Sequence, residues 1–219
     1  MHNVTVAFAA LLVMLLSYFF GCFNGSFMVS HFIIRDDVRK HGSGNAGLTN
    51  FYRTYGAKYA LLVIACDMGK TVAACLLGSF FFRCLGWDGT LGTLLAGFGC
   101  ELGHIFPVFY GFRGGKGILS GGTLVLLLNW RVAAVAWALF LLLWLTTRYV
   151  SLASITATCS APITVYFVYG HNWLYTGLCL AVAALVVWCH RENIQRLLHG
   201  TEKKFKWHVN PTEGKEPPK

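Results

Sequence analysis

The chain has 219 residues, of which 56% are hydrophobic and only 12% charged, with a mean hydropathy of +0.56 and a formal net charge of +9. A soluble domain carries about 25% charged residues. Because the apolar residues also arrive in long runs, a water-soluble domain is excluded and an all-α integral membrane protein is expected. Basic residues scattered through short loops exclude a nucleic-acid surface.

Seven apolar segments follow in chain order: Val4–Cys22, Tyr59–Phe82, Thr90–Tyr110, Ile118–Leu128, Val132–Thr147, Leu152–Tyr169 and Trp173–Cys189. The first lacks a positive n-region and an A-x-A-like site, so it is expected to span rather than to be cleaved. The fourth is short, since a crossing needs about 17–25 residues. It must borrow Gly115–Gly117, tilt little or enter only partway. The pattern predicts one compact seven-helix bundle over residues 1–209, followed by a disordered tail over 210–219 that is rich in Pro, Glu and Lys.

Charge sets the orientation. Of 18 Lys and Arg residues, fifteen lie on one side: Arg35, Arg39, Lys40, Arg53, Lys58, Arg113, Lys116, Arg148 and the seven that follow the last segment. Arg83 and Arg131 lie on the other side, and Lys70 lies within a segment. The positive-inside rule then puts the N-terminus outside and the C-terminus in the cytoplasm. Trp87, Trp130, Trp173 and Trp188 fall near segment ends, as an interfacial belt requires. The eight cysteines form no C-x-x-C pair and are expected to be small buried hydrophobes, with no metal site.

Three polar stretches interrupt the apolar runs, all on the basic side. In His41–Arg53 (HGSGNAGLTNFYR), glycines let backbone N–H groups turn toward one point and form an anion-binding concavity. Ser43, Asn45, Thr49 and Asn50 add short donors, and Arg53 adds a fork suited to phosphate oxygens. In Gly103–Gly117, Lys116 sits among glycines just before a predicted helix. A phosphate there meets free N–H groups, a helix N-terminus and an ammonium together. It is not a Walker A loop, and Gly69-Lys70-Thr71 fails that pattern too, because Ile64 stands where glycine is needed. The third stretch, His190–Glu202, is expected to continue the last helix out of the membrane, with His190, Asn193 and Leu197 on one face. Its pattern fits a basic amphipathic helix on anionic lipid equally well.

Within the spans, Asp67 and Lys70 are three residues apart and positioned to neutralise each other. Glu101 and His104 share that spacing and are expected to support the site. His31 and Asp36 match H-x4-D, a pattern that serves as a catalytic pair in one class of membrane acyltransferases, but the glycine-rich block that accompanies it there is missing.

Taken together, H-G-S-G-N-A-G-L-T-N-F-Y-R-T-Y-G, G-H-I-F-P-V-F-Y-G-F-R-G-G-K-G, T-R-Y-V-S-L-A-S-I and H-R-E-N-I-Q-R-L-L-H-G-T-E resemble the acyl-phosphate-dependent glycerol-3-phosphate acyltransferase family (PlsY type) from Gly25 to about Phe205. The resemblance implies a bacterial inner-membrane enzyme that moves a fatty acyl group from acyl phosphate to sn-glycerol 3-phosphate, without coenzyme A, carrier protein or other cofactor. By motif position, Ser43, Asn45, Arg53 and Lys116 bind phosphate groups, and His190 and Asn193 complete the glycerol 3-phosphate pocket. Thr49, Asn50 and His104 join the substrate-binding set; Ser43, Lys116 and His190 form the catalytic set. The expected protein is a monomer whose partners are its two substrates and membrane lipid. The sequence departs from the family pattern at Phe27–His31, at Ala46-Gly47-Leu48 and at Thr71. A transporter of a phosphorylated solute is the alternative, though its site would lie near mid-membrane rather than at one face.

Overall fold

The computed structural model describes residues 2–206, so the tail expected to be disordered lies outside the described residues. Among the described residues there are ten α-helices: α1 (His2–Cys22), α2 (Gly25–Met28), α3 (Leu48–Tyr55), α4 (Ala60–Cys84), α5 (Gly89–Ile105), α6 (Ile118–Leu128), α7 (Trp130–Thr147), α8 (Val150–Val168), α9 (Trp173–Cys189) and α10 (Arg191–Leu198). A π-helical turn, Val29–Ile33, continues α2, and short 3₁₀ turns occupy Val38–Lys40 and Val108–Tyr110. All seven apolar segments are therefore helical.

Among the described residues, five spans are long and apolar enough to cross a membrane: Val4–Ile33, Ala60–Cys84, Gly89–Tyr110, Trp130–Thr147 and Val150–Val168. A sixth is reached only if α9 and α10 count as one span bent by 59°. Large apolar side chains such as Phe8, Leu61, Phe80, Leu142, Ile163 and Phe167 point outward, which water would oppose and lipid accepts. The eight cysteines are free, with Cys84 and Cys159 exposed rather than buried as expected.

One alternative closes and one expectation changes. α6 keeps the expected bounds with 11 residues, or about 16 Å of rise, against a hydrocarbon core of about 30 Å. It borrows nothing from Gly115–Gly117: those residues are not helical, and Gly117 has φ +80°. The third polar stretch does not extend the last helix. The chain bends at His190, whose backbone leaves helical geometry (φ −96°, ψ 5°), and α10 starts anew.

Internal packing divides the described chain into two compact units, residues 2–120 and residues 121–206, with α6 beginning in the first and continuing into the second. In the first unit, α5 packs against both α1 and α4. Small residues make this possible. A Cβ on Gly99 would run into the Met14 carbonyl oxygen, and one on Gly103 into the Tyr18 carbonyl oxygen. Backbones this close gain dispersion and weak C–H contacts where lipid supplies no hydrophobic drive. In the second unit, α7, α8 and α9 pack in succession. Asn129 and Asn172 cap α7 and α9 by accepting from Arg131 N and from Leu174 N and Tyr175 N. Tyr169 Oη donates to the Leu128 carbonyl at 2.7 Å and fixes the end of α6.

Replacing Gly103 by leucine is expected to cost about 1–3 kcal/mol or more by forcing α1 off α5. A fall in melting temperature in detergent, with loss of the monodisperse peak, would show it; unchanged melting would refute the backbone contact.

Candidate functional site

Beneath the glycine loops of the first unit lies a buried polar cluster. Lys70 Nζ meets Asp67 Oδ1 at 2.9 Å, His104 Nδ1 at 2.8 Å, and the carbonyls of Gly21 and Phe23 at 3.1 and 3.0 Å. Asp67 Oδ1 also accepts from Gly25 N at 3.0 Å. The three side chains are at most 7% exposed. Because an ammonium only donates, His104 Nδ1 here is the acceptor nitrogen. The expected Asp67–Lys70 pair is thus present, and it closes the break between α1 and α2. His104, expected to support the site, joins this pair through Nδ1 and is 3% exposed.

The first glycine loop is built around Asn50. Its Nδ2 donates to the carbonyls of Val38, His41 and Asn45 at 3.1, 3.1 and 3.0 Å, and its Oδ1 accepts from Ser43 N at 3.0 Å. Both Nδ2 hydrogens are committed, one of them shared between two carbonyls, so Asn50 shapes the loop rather than offering a donor to a ligand. Gly42, at φ +60°, lies so close that a Cβ would strike Asn50 Oδ1. Ser43 is exposed and Asn45 and Thr49 are half-buried around the N-terminus of α3, while Arg53 follows one turn later, also half-buried.

The second loop folds back on the end of α5. Gly114 N donates to Ile105 O at 3.0 Å and Gly115 N to His104 O at 3.1 Å. A Cβ on Gly115 would strike His104 Nε2, and one on Gly117 would strike Glu101 Oε2. Glu101 is 1% exposed, and neither oxygen finds a hydrogen-bond partner among the described residues. Only glycine fits between these side chains and the chain that carries Lys116 into α6.

The two loops meet. Ala46 N donates to Gly114 O at 3.2 Å, and Asn24 Nδ2 donates to Ala46 O at 3.0 Å. The first two polar stretches, widely separated in sequence, therefore share one floor.

Several positions escaped the sequence reading. Arg39, taken there only as a topology charge, grips Asp37 through Nε and Nη2 at 3.0 and 2.9 Å. Its Nη1 donates to Tyr110 O at 2.7 Å, and it stacks over Phe27 at 4.4 Å. Burial pushes Asp37 up, but the Arg39 hydrogen bonds outweigh it and hold this carboxyl below its usual value. Asp36 bonds His41 Nε2 at 2.9 Å, while the His31 ring stacks on Phe27. The H-x4-D pair is thus not made.

In the second unit the third polar stretch is organised by Glu202. Its Oε1 accepts from Ser151 Oγ at 2.7 Å and Asn193 Nδ2 at 2.8 Å, and its Oε2 from Arg196 Nε at 2.7 Å. His190 and Asn193 are 3% and 8% exposed. His190 Nδ1 lies 2.8 Å from the Val186 carbonyl, which can only accept. Nδ1 must carry the proton, so Nε2 holds the lone pair in the neutral ring. The signal for Ser151 and Glu202 was their place in the quoted motif blocks; sequence spacing alone could not pair them.

Comparison with known proteins converges on one family. The sequence profile of the family described as glycerol-3-phosphate acyltransferase matches residues 11–200. The chain is 40% identical over 197 residues to the glycerol-3-phosphate acyltransferase of Syntrophomonas wolfei subsp. wolfei, covering 90% of this chain and 96% of that protein. It is 38% identical over 189 residues to that of Finegoldia magna, covering 86% and 92%. The crystal structure of PlsY (YgiH), an integral membrane glycerol 3-phosphate acyltransferase, in its glycerol 3-phosphate form, matches with a TM-score of 0.79 at 36% identity over 90% of this chain and 96% of that one. The lysophosphatidic acid form matches at 0.77 and 35%, over 90% and 95%.

Two outcomes test this geometry. Lys70→Met leaves Asp67 buried without its partner and is expected to cost about 3–5 kcal/mol, while Asp67→Asn with Lys70→Met recovers much of the loss. A denaturation series on the single and double variants measures it. For Glu202, burial raises the carboxyl but the hydrogen bonds from Arg196, Ser151 and Asn193 outweigh it and hold it low. Its folded value lies below the unfolded one of about 4.3, so its stabilisation is present above that pH and disappears as pH falls through the folded value. Glu202→Gln should thus melt below the parent near neutral pH, and the two should converge in acid.

Proposed function

Because this chain belongs to the glycerol-3-phosphate acyltransferase family, we propose that it acylates sn-glycerol 3-phosphate from acyl phosphate, releasing 1-acylglycerol 3-phosphate and phosphate. The acceptor is the one named for the relatives; the donor is the finer part of the proposal. The observation that carries it is the meeting of the two glycine loops through Ala46 and Gly114, which sets the Lys116 loop on the same floor as the loop of Ser43 and Asn45.

The donor suits such a site. Acyl phosphate is an activated mixed anhydride whose leaving group is stable, so catalysis needs position and charge more than a strong acid. The glycerol hydroxyl oxygen attacks the carbonyl carbon, the carbon–oxygen bond to phosphate breaks, and the electron pair leaves with phosphate. Lys116 and Arg53 offset the growing charge on that phosphate. Ser43, Asn45 and Thr49 and nearby backbone N–H groups bind phosphate or carbonyl oxygens. The hydroxyl proton passes to a substrate phosphate oxygen, while His190 Nε2 and Asn193 bind and orient the acceptor. Ser43 acts as a ligand rather than a nucleophile, because no side-chain base holds its hydroxyl.

We place the enzyme as a monomer in a bacterial inner membrane with seven crossings, α6 the short one, an outside N-terminus and a cytoplasmic site. The charge asymmetry between the two sides supports this orientation.

Phosphate release from acyl phosphate that depends on glycerol 3-phosphate tests the donor; transfer only from an acyl thioester would overturn it. Lys116→Ala is expected to lower kcat about 10²–10³-fold. Near-normal turnover would remove Lys116 from the mechanism.

A further inference from the structure

The chain that brings Lys116 to its place makes a costly turn on the way. Gly111 and Phe112 are consecutive left-handed residues, with φ +67° and +59°. Glycine adopts this conformation freely, but a residue with a bulky side chain does not. The Phe112 side chain is 58% exposed, so burial of its ring does not offset the cost. The turn is held through its backbone instead. Tyr110 N and Phe112 N both donate to Pro107 O, at 3.1 and 3.0 Å. Two further bonds tie it to the first glycine loop and bracket it. Arg39 Nη1 donates to Tyr110 O at 2.7 Å just before the left-handed pair, and Ala46 N donates to Gly114 O at 3.2 Å just after it. Lys116 follows two residues later.

Arg39 is built as a fixed arm. The 3₁₀ turn that carries it is anchored in the first loop, because Asn50 Nδ2 donates to Val38 O at 3.1 Å. Asp37 Oδ1 accepts from Arg39 N and from Arg39 Nε, both at 3.0 Å, and Oδ2 accepts from Nη2 at 2.9 Å. Phe27 covers the guanidinium at 4.4 Å, and its ring lies 4.1 Å from that of Tyr110, centroid to centroid. A carboxylate along one edge and a ring on one face fix the fork before it reaches the second loop. With its charge matched by Asp37, Arg39 is arranged as a clamp and not as another phosphate ligand.

We infer that Arg39 is a positioning residue for the acyl transfer: it grips the strained turn at Tyr110 and so keeps Lys116 in register with Ser43 and Asn45. This rests on the role given to Lys116 above. Strained backbone persists at functional sites only where its surroundings over-determine it. Here Ala46 holds the far side of the turn from the first loop, and Arg39 holds the near side. Lysine at 39 would keep the charge, but it cannot grip Asp37 with two nitrogens while a third reaches Tyr110.

Arg39→Lys and Arg39→Gln should each lower kcat about tenfold or more, with KM for glycerol 3-phosphate within about twofold of the parent. A raised KM at unchanged kcat would make Arg39 a substrate ligand and overturn the inference. A cycle with Lys116→Ala asks whether Arg39 acts through Lys116. In that background Arg39→Gln should lower kcat by less than about a further twofold, whereas losses that multiply overturn the inference. If Arg39→Gln fails to fold, Asp37→Asn, which frees one edge of the fork, enters the same cycle. An unchanged kcat or multiplying losses in that variant overturn the inference equally. Trypsin reports on the turn without any chemistry, because Arg113 is exposed within it. Cleavage after Arg113 should be at least about fivefold faster in Arg39→Gln than in the parent, and equal rates overturn the clamp. If the parent transfers no acyl group, or Lys116→Ala turns over normally, the reading above falls instead, and the cleavage rates alone decide whether Arg39 grips the turn.

Discussion

Lys70 is the point on which the first unit turns. Its Nζ reaches two carbonyls at the end of α1, a carboxylate on its own helix and an imidazole on α5. A buried amine of this kind is tolerable only with its neighbours saturated around it, so it fixes three helices at once. The break between α1 and α2 opens where those carbonyls are needed. The second glycine loop lies on His104, and the first lies on the second. The placement of both loops thus descends from one buried contact set, two layers below the groups proposed to meet substrate.

Backbone rather than side chains forms much of the upper layer. Asn50 spends its amide on four backbone partners, and Arg39 spends its guanidinium on Asp37 and Tyr110. The polar residues divide into those that hold the loop and those left to act, and rigidity of the first group gives precision to the second. In the second unit Glu202 has the same office as Asn50, gathering Ser151, Asn193 and Arg196 around itself.

Much of this was legible in the sequence. Apolar runs with polar interruptions locate every long helix, because lipid allows no other way to satisfy the backbone. The Asp67–Lys70 pair follows from a three-residue spacing on one helix. What escaped depends on partners distant in the chain. Asn50 looks like a ligand and Arg39 like a topology marker, since the same donors serve either role until their acceptors are known. The break at His190 escaped because no proline or glycine marks it, and Arg191–Leu198 is a good helix by itself. Glu101 remains without a hydrogen-bonding partner in the described structure; its close approach accounts for glycine at 117, and for nothing else on view.

The seam between α1 and α5 has one more implication. Side chains that interdigitate can re-mesh after a small slip, as ridges find new grooves. Here bare α-carbons at 99 and 103 abut carbonyl oxygens at 14 and 18. A slip of one residue would drive Leu102 or Cys100 into the same oxygens, so this pair has a single stop, like a keyed shaft. Whatever flexing accompanies turnover must therefore take place above the seam, leaving the platform beneath it indexed to the same mark in every cycle.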